Sequence, residues 1–297
     1  MKQECYFCHL KTLEKLLIKY APSNELAEKI IFEISHLLEE NREQSNPALS
    51  GLMHAKVSAF LGLEDLYVEE KKSANKIILG HYDFWKNFIK KDTENAFENA
   101  VKLAVAGNIL DYGAHCMKED ILHQIFAIIS HELSIDKSRD LQAGIQKAEN
   151  ILYLGDNAGE IVFDKLLIET MNQSNVTFAV RGMPVINDVT LDDAREIGMN
   201  KICSVIENGH NAPSTLLKHT SQAFTEAFNK ADLIISKGQG NFEGLMEVKD
   251  KNIYFLLMAK CKPIAEMLNV KKGDLVVQHA SALHNSKIEE ETLAYGF

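Results

Sequence analysis

The chain contains no apolar run approaching the roughly 20 residues of a membrane-spanning helix. Its opening, Met1-Lys2-Gln3-Glu4-Cys5, leads straight into an amphipathic helical pattern without the apolar core of a signal peptide. A cytoplasmic protein is therefore expected. Cysteine is sparse, five in 297 residues. That odd number does not resemble a secreted disulfide framework, and reduced thiols fit the cytoplasmic expectation. Only Cys5 and Cys8 are close in sequence. Basic residues are in deficit: the formal charge is −10 and no Lys/Arg run stands out. This argues against general nucleic-acid binding, because phosphate contacts need a concentrated basic surface. The expected partners are small molecules, not nucleic acid or membrane. Prolines number only five, and no repeat or low-complexity linker interrupts the chain.

A balance of 46% hydrophobic and 25% charged residues is that of a folded globular protein and not of a disordered one. At 297 residues the chain can bury a substantial core, as two domains or as one with a large attached layer. Two rhythms divide it. From Met1 to about His131, apolar residues recur at helical spacing, as in Leu10, Leu13, Leu16 and Leu17, then Ile30, Ile31, Ile34 and Leu37. Pro22-Ser23-Asn24 supplies cap chemistry before one helix, Asn46-Pro47 opens another, and Gly62 closes it. The longest helical segments are expected over Ser73–Lys90 and Thr93–Ala106, with Trp85 at core-facing spacing.

After Asn150 the rhythm changes to short apolar runs, each followed by turn residues and a helical pattern. The runs are Ile151–Leu154, Val176–Val180, Ile202–Ile206, Leu233–Ile235, Ile253–Leu257 and Leu275–Val277. Strand alternating with helix predicts an α/β fold, a doubly wound, largely parallel sheet covered on both faces. The expected organisation is an N-terminal all-helical part, residues 1–145, packed on a core formed by an α/β metal- and phosphate-binding domain, residues 146–297. A charged connecting helix near Leu141 to Glu149 marks the boundary.

Ligands of open α/β sheets bind beyond the carboxyl ends of the strands, so the residues after each strand carry the functional signal. After the first comes Gly155-Asp156-Asn157-Ala158-Gly159-Glu160, a carboxylate and an amide adjacent at a turn with glycines on either side. After the second comes Arg181-Gly182-Met183-Pro184-Val185-Ile186-Asn187-Asp188. After the fourth comes Ser236-Lys237-Gly238-Gln239-Gly240-Asn241-Phe242-Glu243, read as a glycine-spaced loop whose amides and Asn241 could cradle an anion. Lys260-Cys261-Lys262-Pro263 after the fifth adds cationic groups. Taken singly, strand-end Asp and Asn are turn formers and helix caps. Four polar or glycine-rich loops at one sheet edge argue for a site.

Oxygen ligands from Asp156, Asn157 and Asp188, with no neighbouring His or Cys, favour a hard ion such as Mg²⁺ or Mn²⁺ over zinc. A lysine beside such an ion and a glycine-rich loop suits a phosphate monoester. Glu160 either orients water or favours the start of its helix as a negative charge. Asn108 and Asp111, at a helix end in the first half, either line the cleft from above or cap that helix. Asp192 and Asp193 read as helix-start acids, and His210 as a lone loop histidine without an identified partner.

These loops resemble the signatures of the damage-control phosphatases, formerly the domain of unknown function eighty-nine, or ARMT-like proteins. The matching segments are Asp156-Asn157-Ala158-Gly159-Glu160, Arg181 through Thr190, and Lys237-Gly238-Gln239-Gly240-Asn241-Phe242-Glu243. Gly107-Asn108-Ile109-Leu110-Asp111 and Glu69-Glu70-Lys71-Lys72-Ser73-Ala74-Asn75 also look like family motifs, so the resemblance covers most of the chain. It implies a metal-dependent phosphatase acting on sugar phosphates or damaged phosphometabolites, a role in metabolite repair. The divalent ion, Mn²⁺, Mg²⁺, Co²⁺ or Ni²⁺, would be held by Asp156, Asn157 and Asp188. Gly240, Asn241 and Lys262 match the family's substrate-phosphate contacts, with Lys260 an ambiguous neighbour of Lys262. Cys5-Tyr6-Phe7-Cys8 resembles the amino-terminal cysteine pair of the family's microbial branch. Its readings are a zinc half-site, a redox pair, or two thiols on a helix face.

On this reading the ion bridges the substrate phosphate while Asn241 and Lys262 hold its remaining oxygens. The nucleophile is metal-bound water or Asp156 itself. The rival enzyme class is a carboxylate methyltransferase, with the Gly155–Glu160 loop holding its cofactor. It is disfavoured because no glycine fingerprint opens the first helix and Asp156 stands where a cofactor carboxyl would approach. A non-catalytic phosphometabolite-binding protein is the rival from another class.

Overall fold

Continuous apolar runs bounded by turn residues can be buried on both faces only in the interior of a covered sheet, and the computed structural model places most of them there, the run at Ile202–Ile206 lying instead at the sheet edge. The structure describes residues 3–107 and 121–283. Among these, seven strands are formed: β1 (Ile135–Asp136), β2 (Ile151–Leu154), β3 (Val176–Val180), β4 (Ser204–Glu207), β5 (Leu233–Lys237), β6 (Ile253–Met258) and β7 (Leu275–His279). They make one sheet in the order β1-β7-β6-β5-β2-β3-β4. All neighbours are parallel except β6 and β7, which run antiparallel. The order reverses at β2, between β3 and β5, which is where an open sheet parts to form a crevice at its strand ends.

The helices are α1 (Gln3–Tyr20), α2 (Asn24–Glu40), α3 (Asn46–Leu61), α4 (Val68–Gly80), α5 (Tyr82–Lys91), α6 (Ala96–Ala106), α7 (Ile121–Ile129), α8 (Ser138–Ile145), α9 (Glu160–Met171), α10 (Leu191–Glu196), α11 (Gln222–Lys230), α12 (Gly238–Leu245) and α13 (Lys262–Met267). On one face of the sheet, Trp85, Val101, Leu103 and Phe163 pack with Tyr153 and Phe178. On the other, Phe224, Phe242 and Ile264 pack with Leu152, Ile234 and Phe255. This is the doubly wound arrangement with an N-terminal helical part. Helices α1–α3 close over a separate core of Leu13, Ile30, Ile34, Met53 and Val57.

Local sequence accounts for the boundaries. Ser23 Oγ accepts the Leu26 N–H at 3.3 Å to start α2, and Gly62, at φ 66°, ends α3. The segment expected as one helix over Ser73–Lys90 breaks at His81 between α4 and α5, where Gly80, with no side chain to favour helix, occupies the last turn. The connecting helix expected over Leu141–Glu149 begins earlier, as α8. Ile202 follows a 3₁₀ turn, so β4 starts two residues later than the apolar run suggests. Strand β1, two residues long and only half covered, has too little pattern to be legible in sequence. Because β1 and α8 precede residue 146, part of the sheet layer belongs to the first half of the chain.

One helix of that half reaches the strand ends directly. Asn75 Oδ1, on α4, accepts the Gly159 N–H at 2.7 Å. Lys71, one turn earlier, donates to Asp193 at 2.8 Å and pairs with Asp65 at 2.9 Å. The helical part is thereby fastened to the loop before α9 and to the start of α10, where Thr190 and Asp193 form a capping box.

Candidate active site

The loops after β2 and β3 are joined backbone to backbone. The Ala158 N–H donates to Asn187 O at 2.9 Å, the Val189 N–H to Asp156 O at 2.8 Å, and the Arg181 N–H to Val189 O at 2.9 Å. Asn157 and Asp188 form an antiparallel bridge. This pairing sets Asp156, Asn157 and Asp188 side by side although the sequence separates them by about thirty positions. All three are buried. The approach from β5 is equally close: a Cβ on Gly238, which adopts φ +77°, would lie 1.9 Å from Asp156 Oδ2. Only glycine fits there. Ile186, in the loop leading to Asp188, holds φ 45°, a costly conformation for a β-branched residue.

Arg181 is the central cation. Its Nε donates to Asp188 Oδ2 at 2.6 Å, Nη1 donates to Asn241 Oδ1 at 3.0 Å, and Nη2 lies 3.6 Å from Asp156 Oδ1. Burial pushes the Asp156 carboxyl well above the usual carboxylate range, and the charges of Asp188 and Glu160 add to the shift while Lys260 and Arg181 oppose it. The site is thus a buried concentration of negative charge that its own cations only partly offset.

Behind it lies a second buried group. Lys237 Nζ donates to Glu160 Oε1 at 2.5 Å and also to Asp164. The Tyr153 hydroxyl donates to Asp164 Oδ1 at 2.7 Å. Asn157 Nδ2 donates to Asp156 Oδ2 at 2.7 Å and to Glu160 Oε2 at 3.1 Å. Burial raises Asp164 to about 6, an effect that Lys237 opposes.

The structure brings Asp156, Asn157 and Asp188 together and sets the other candidate residues it describes behind or away from them. Glu160 is fully buried, and its Oε1 accepts from Lys237. Asn241 is also fully buried and is committed to the scaffold: Nδ2 donates to Gly155 O and Lys237 O, while Oδ1 accepts from Arg181 and Thr215. The stretch read as an open glycine-spaced loop is the first turn of α12, and Gly240 admits Pro213 O, which would lie 2.0 Å from a Cβ there. Lys262 turns away, its side chain 75% exposed and paired with Glu266. Lys260 is the lysine whose charge reaches Asp156. Asn108 and Asp111 lie outside the described residues.

The His210 ring lies between the backbone N–H groups of Ala212 and Leu216, and burial with the nearby Arg181 charge depresses it to about 4, so the ring is neutral and accepts from one of the two. Cys5 and Cys8 are in no disulfide. Sequence reasoning missed Arg181, Lys237, Asp164 and Asn75 as contributors. The available signals were a charge ending the apolar run of β5, an arginine directly after β3, and the family-like motif on α4.

Two carboxylates and an amide suit a hard divalent ion. Among the described residues no three His, Cys, Asp or Glu side chains gather as a cation site, so such an ion would depend on the Asn157 oxygen for its third protein ligand. The fit is supported by the two buried carboxylates, Asp156 and Asp188, whose charges oppose one another, and by Asn187 Oδ1, a buried acceptor without a hydrogen-bond partner in the same loops; Arg181 Nη2, a buried donor likewise without one, suits an anion instead.

Fold and site together define an open α/β protein with an acid-and-amide centre at the switch point of its sheet. The chain belongs to the damage-control phosphatase ARMT1-like domain family, whose model matches residues 1–276. It is 37% identical over 281 residues to a damage-control phosphatase of Pyrococcus horikoshii, covering 93% of this chain and 96% of that one. A damage-control phosphatase of Archaeoglobus fulgidus is 32% identical over 265 residues, covering 86% and 90%. The crystal structure of a DUF89 family protein from Pyrococcus horikoshii superposes with a TM-score of 0.85 at 34% identity, covering 94% of this chain and 99% of that one.

Proposed function

We propose that this protein is a metal-dependent phosphatase that hydrolyses phosphate esters of small metabolites, sugar phosphates or damaged phosphometabolites. The observation that carries the reading is the joined pair of loops that sets Asp156, Asn157 and Asp188 together beside Arg181 and within the field of Lys260. The damage-control phosphatase names of its relatives support the same activity class.

When bound by Asp156, Asn157 and Asp188, a divalent ion such as Mn²⁺, Mg²⁺, Co²⁺ or Ni²⁺ supplies positive charge to the phosphate oxygens and activates water. The chain's own residues do the rest. Arg181 holds Asp188 in place through a charge-assisted bond. Lys260 brings a second positive charge to the edge where the phosphate arrives, favouring the charge that develops on its oxygens. Burial of the three ligand residues keeps the local dielectric low, which strengthens each of these interactions. A cavity of about 440 Å³ lies against Met183–Ile186, in the loop that leads to Asp188, and is lined also by His54, Leu63, Tyr67 and Asn211; none of the three ligand residues lines it.

The test is phosphate release from a panel of sugar phosphates and an aryl phosphate after chelation, with each of the four ions restored in turn. Turnover that returns with the ion, needs no other cofactor and disappears in Asp188→Ala supports the phosphatase over a methyltransferase. Tight binding of a sugar phosphate with no release under any ion would replace it with a non-catalytic sensor.

A further inference from the structure

Asn157 is the one neutral member of the ligand set, and its two ends are chemically opposite: the oxygen can bind a cation and the NH₂ group cannot. Something must decide which end faces the site. Both Nδ2 hydrogens are taken by carboxylates, one by Asp156 Oδ2 at 2.7 Å and one by Glu160 Oε2 at 3.1 Å. A flipped amide would press its oxygen against both carboxylate oxygens, two repulsive contacts in place of two charge-assisted bonds. Glu160 cannot relax away from this duty. Its other oxygen, Oε1, accepts from Lys237 at 2.5 Å, and both residues are fully buried. Lys237 is held in turn by Asp164, which also accepts from Tyr153 at 2.7 Å. Each member has its donor or acceptor direction set by the one behind it.

We infer that the buried chain Tyr153–Asp164–Lys237–Glu160 fixes the orientation of the Asn157 amide, offering its oxygen to the divalent ion. The inference rests on the metal-dependent reading above and makes Glu160 a positioning residue. Carboxylates behind ligands commonly orient them, and their loss weakens metal affinity by about 10- to 100-fold.

The cycle of Glu160→Gln, Asn157→Asp and the double variant tests it, read by the free Mn²⁺ signal in electron paramagnetic resonance. In Glu160→Gln the new amide must turn its oxygen to Lys237, so its NH₂ faces the Asn157 NH₂ and the Asn157 amide loses its fixed direction. Mn²⁺ affinity is expected to fall by about tenfold or more. Asn157→Asp, ordinarily a stronger cation ligand, is also expected to bind more weakly, because its carboxylate meets Glu160. The double variant keeps the total charge and reverses the hydrogen bond, with the amide introduced by Glu160→Gln now donating to the carboxylate introduced by Asn157→Asp; it should recover part of the affinity lost by Asn157→Asp, the contact with Asp156 Oδ2 staying repulsive.

Parent-like Mn²⁺ binding by folded Glu160→Gln overturns the inference, as does a double variant no tighter than Asn157→Asp. If Glu160→Gln does not fold, Asn157→Asp decides: binding tighter than the parent overturns the inference, and weaker binding supports it. A parent that binds no Mn²⁺ would overturn the cation site itself and this inference with it, a result distinct from a failed cycle in a parent that binds.

Discussion

Arg181 and Asp188 form a fully enclosed ion pair, Nε to Oδ2 at 2.6 Å, in which the guanidinium also spans to Asn241 on α12. One side chain thereby ties the end of β3 to the end of β5. Replacing only one partner of such a pair leaves an uncompensated buried charge, at a cost of about 3–5 kcal/mol. Arg181→Met is therefore expected to lower unfolding free energy by that order in denaturant titration and to abolish phosphate release. Stability unchanged from the parent would show that Arg181 does not compensate Asp188.

The two lysines of the loop after β6 should separate cleanly. Lys260 acts on Asp156 electrostatically, whereas Lys262 is solvent-exposed and, among the described residues, pairs with Glu266. Lys260→Ala is expected to raise KM for a sugar phosphate by about tenfold, equivalent to one partly screened charge. Lys262→Ala should leave it within about twofold, as exposed pairs contribute little. The reverse ranking in steady-state kinetics would return Lys262 to the site.

Gly238 carries no side chain because Asp156 occupies the space. Its positive φ and the 1.9 Å that would separate an added methyl from Asp156 Oδ2 act together. Gly238→Ala is expected to cost about 2–3 kcal/mol and to remove activity by displacing that carboxylate. A crystal structure of the variant with Asp156 unmoved would contradict this.

Acid–base linkage gives a pH signature. Asp156 is raised in the folded protein by burial and by Asp188 and Glu160, so the folded state holds its proton more tightly than the unfolded chain does. Its contribution to stability is present at low pH and is lost as pH rises from the ordinary carboxylate value of about 4 through the raised folded value. A divalent ion competes with that proton. The rise in Tm on adding Mn²⁺ to chelated protein is expected to be larger at pH 8 than at pH 5 and to be absent in Asp188→Ala. A Tm increment independent of pH in scanning calorimetry would mean that the ion does not engage Asp156.

The sequence by itself determined the parts whose signal is local. Ile151–Leu154, Val176–Val180 and Ile253–Leu257 are largely apolar runs of strand length, and the loops after the first two carry Asp156, Asn157 and Asp188 in order. Helix caps at Ser23 and Gly62 were likewise local.

Tertiary structure alone decided which way side chains face. Glu160 turns inward because Lys237, 77 positions later, arrives from β5 to meet it. Asn241 turns inward because Gly155, Lys237, Arg181 and Thr215 take its hydrogen bonds. Lys260, and not Lys262, faces the acids because α13 begins between them and carries the second lysine out to solvent. Spacing along the chain encodes periodicity, but the partner of a buried charge is chosen by contacts between distant strands, and in a low-dielectric interior that partner decides orientation.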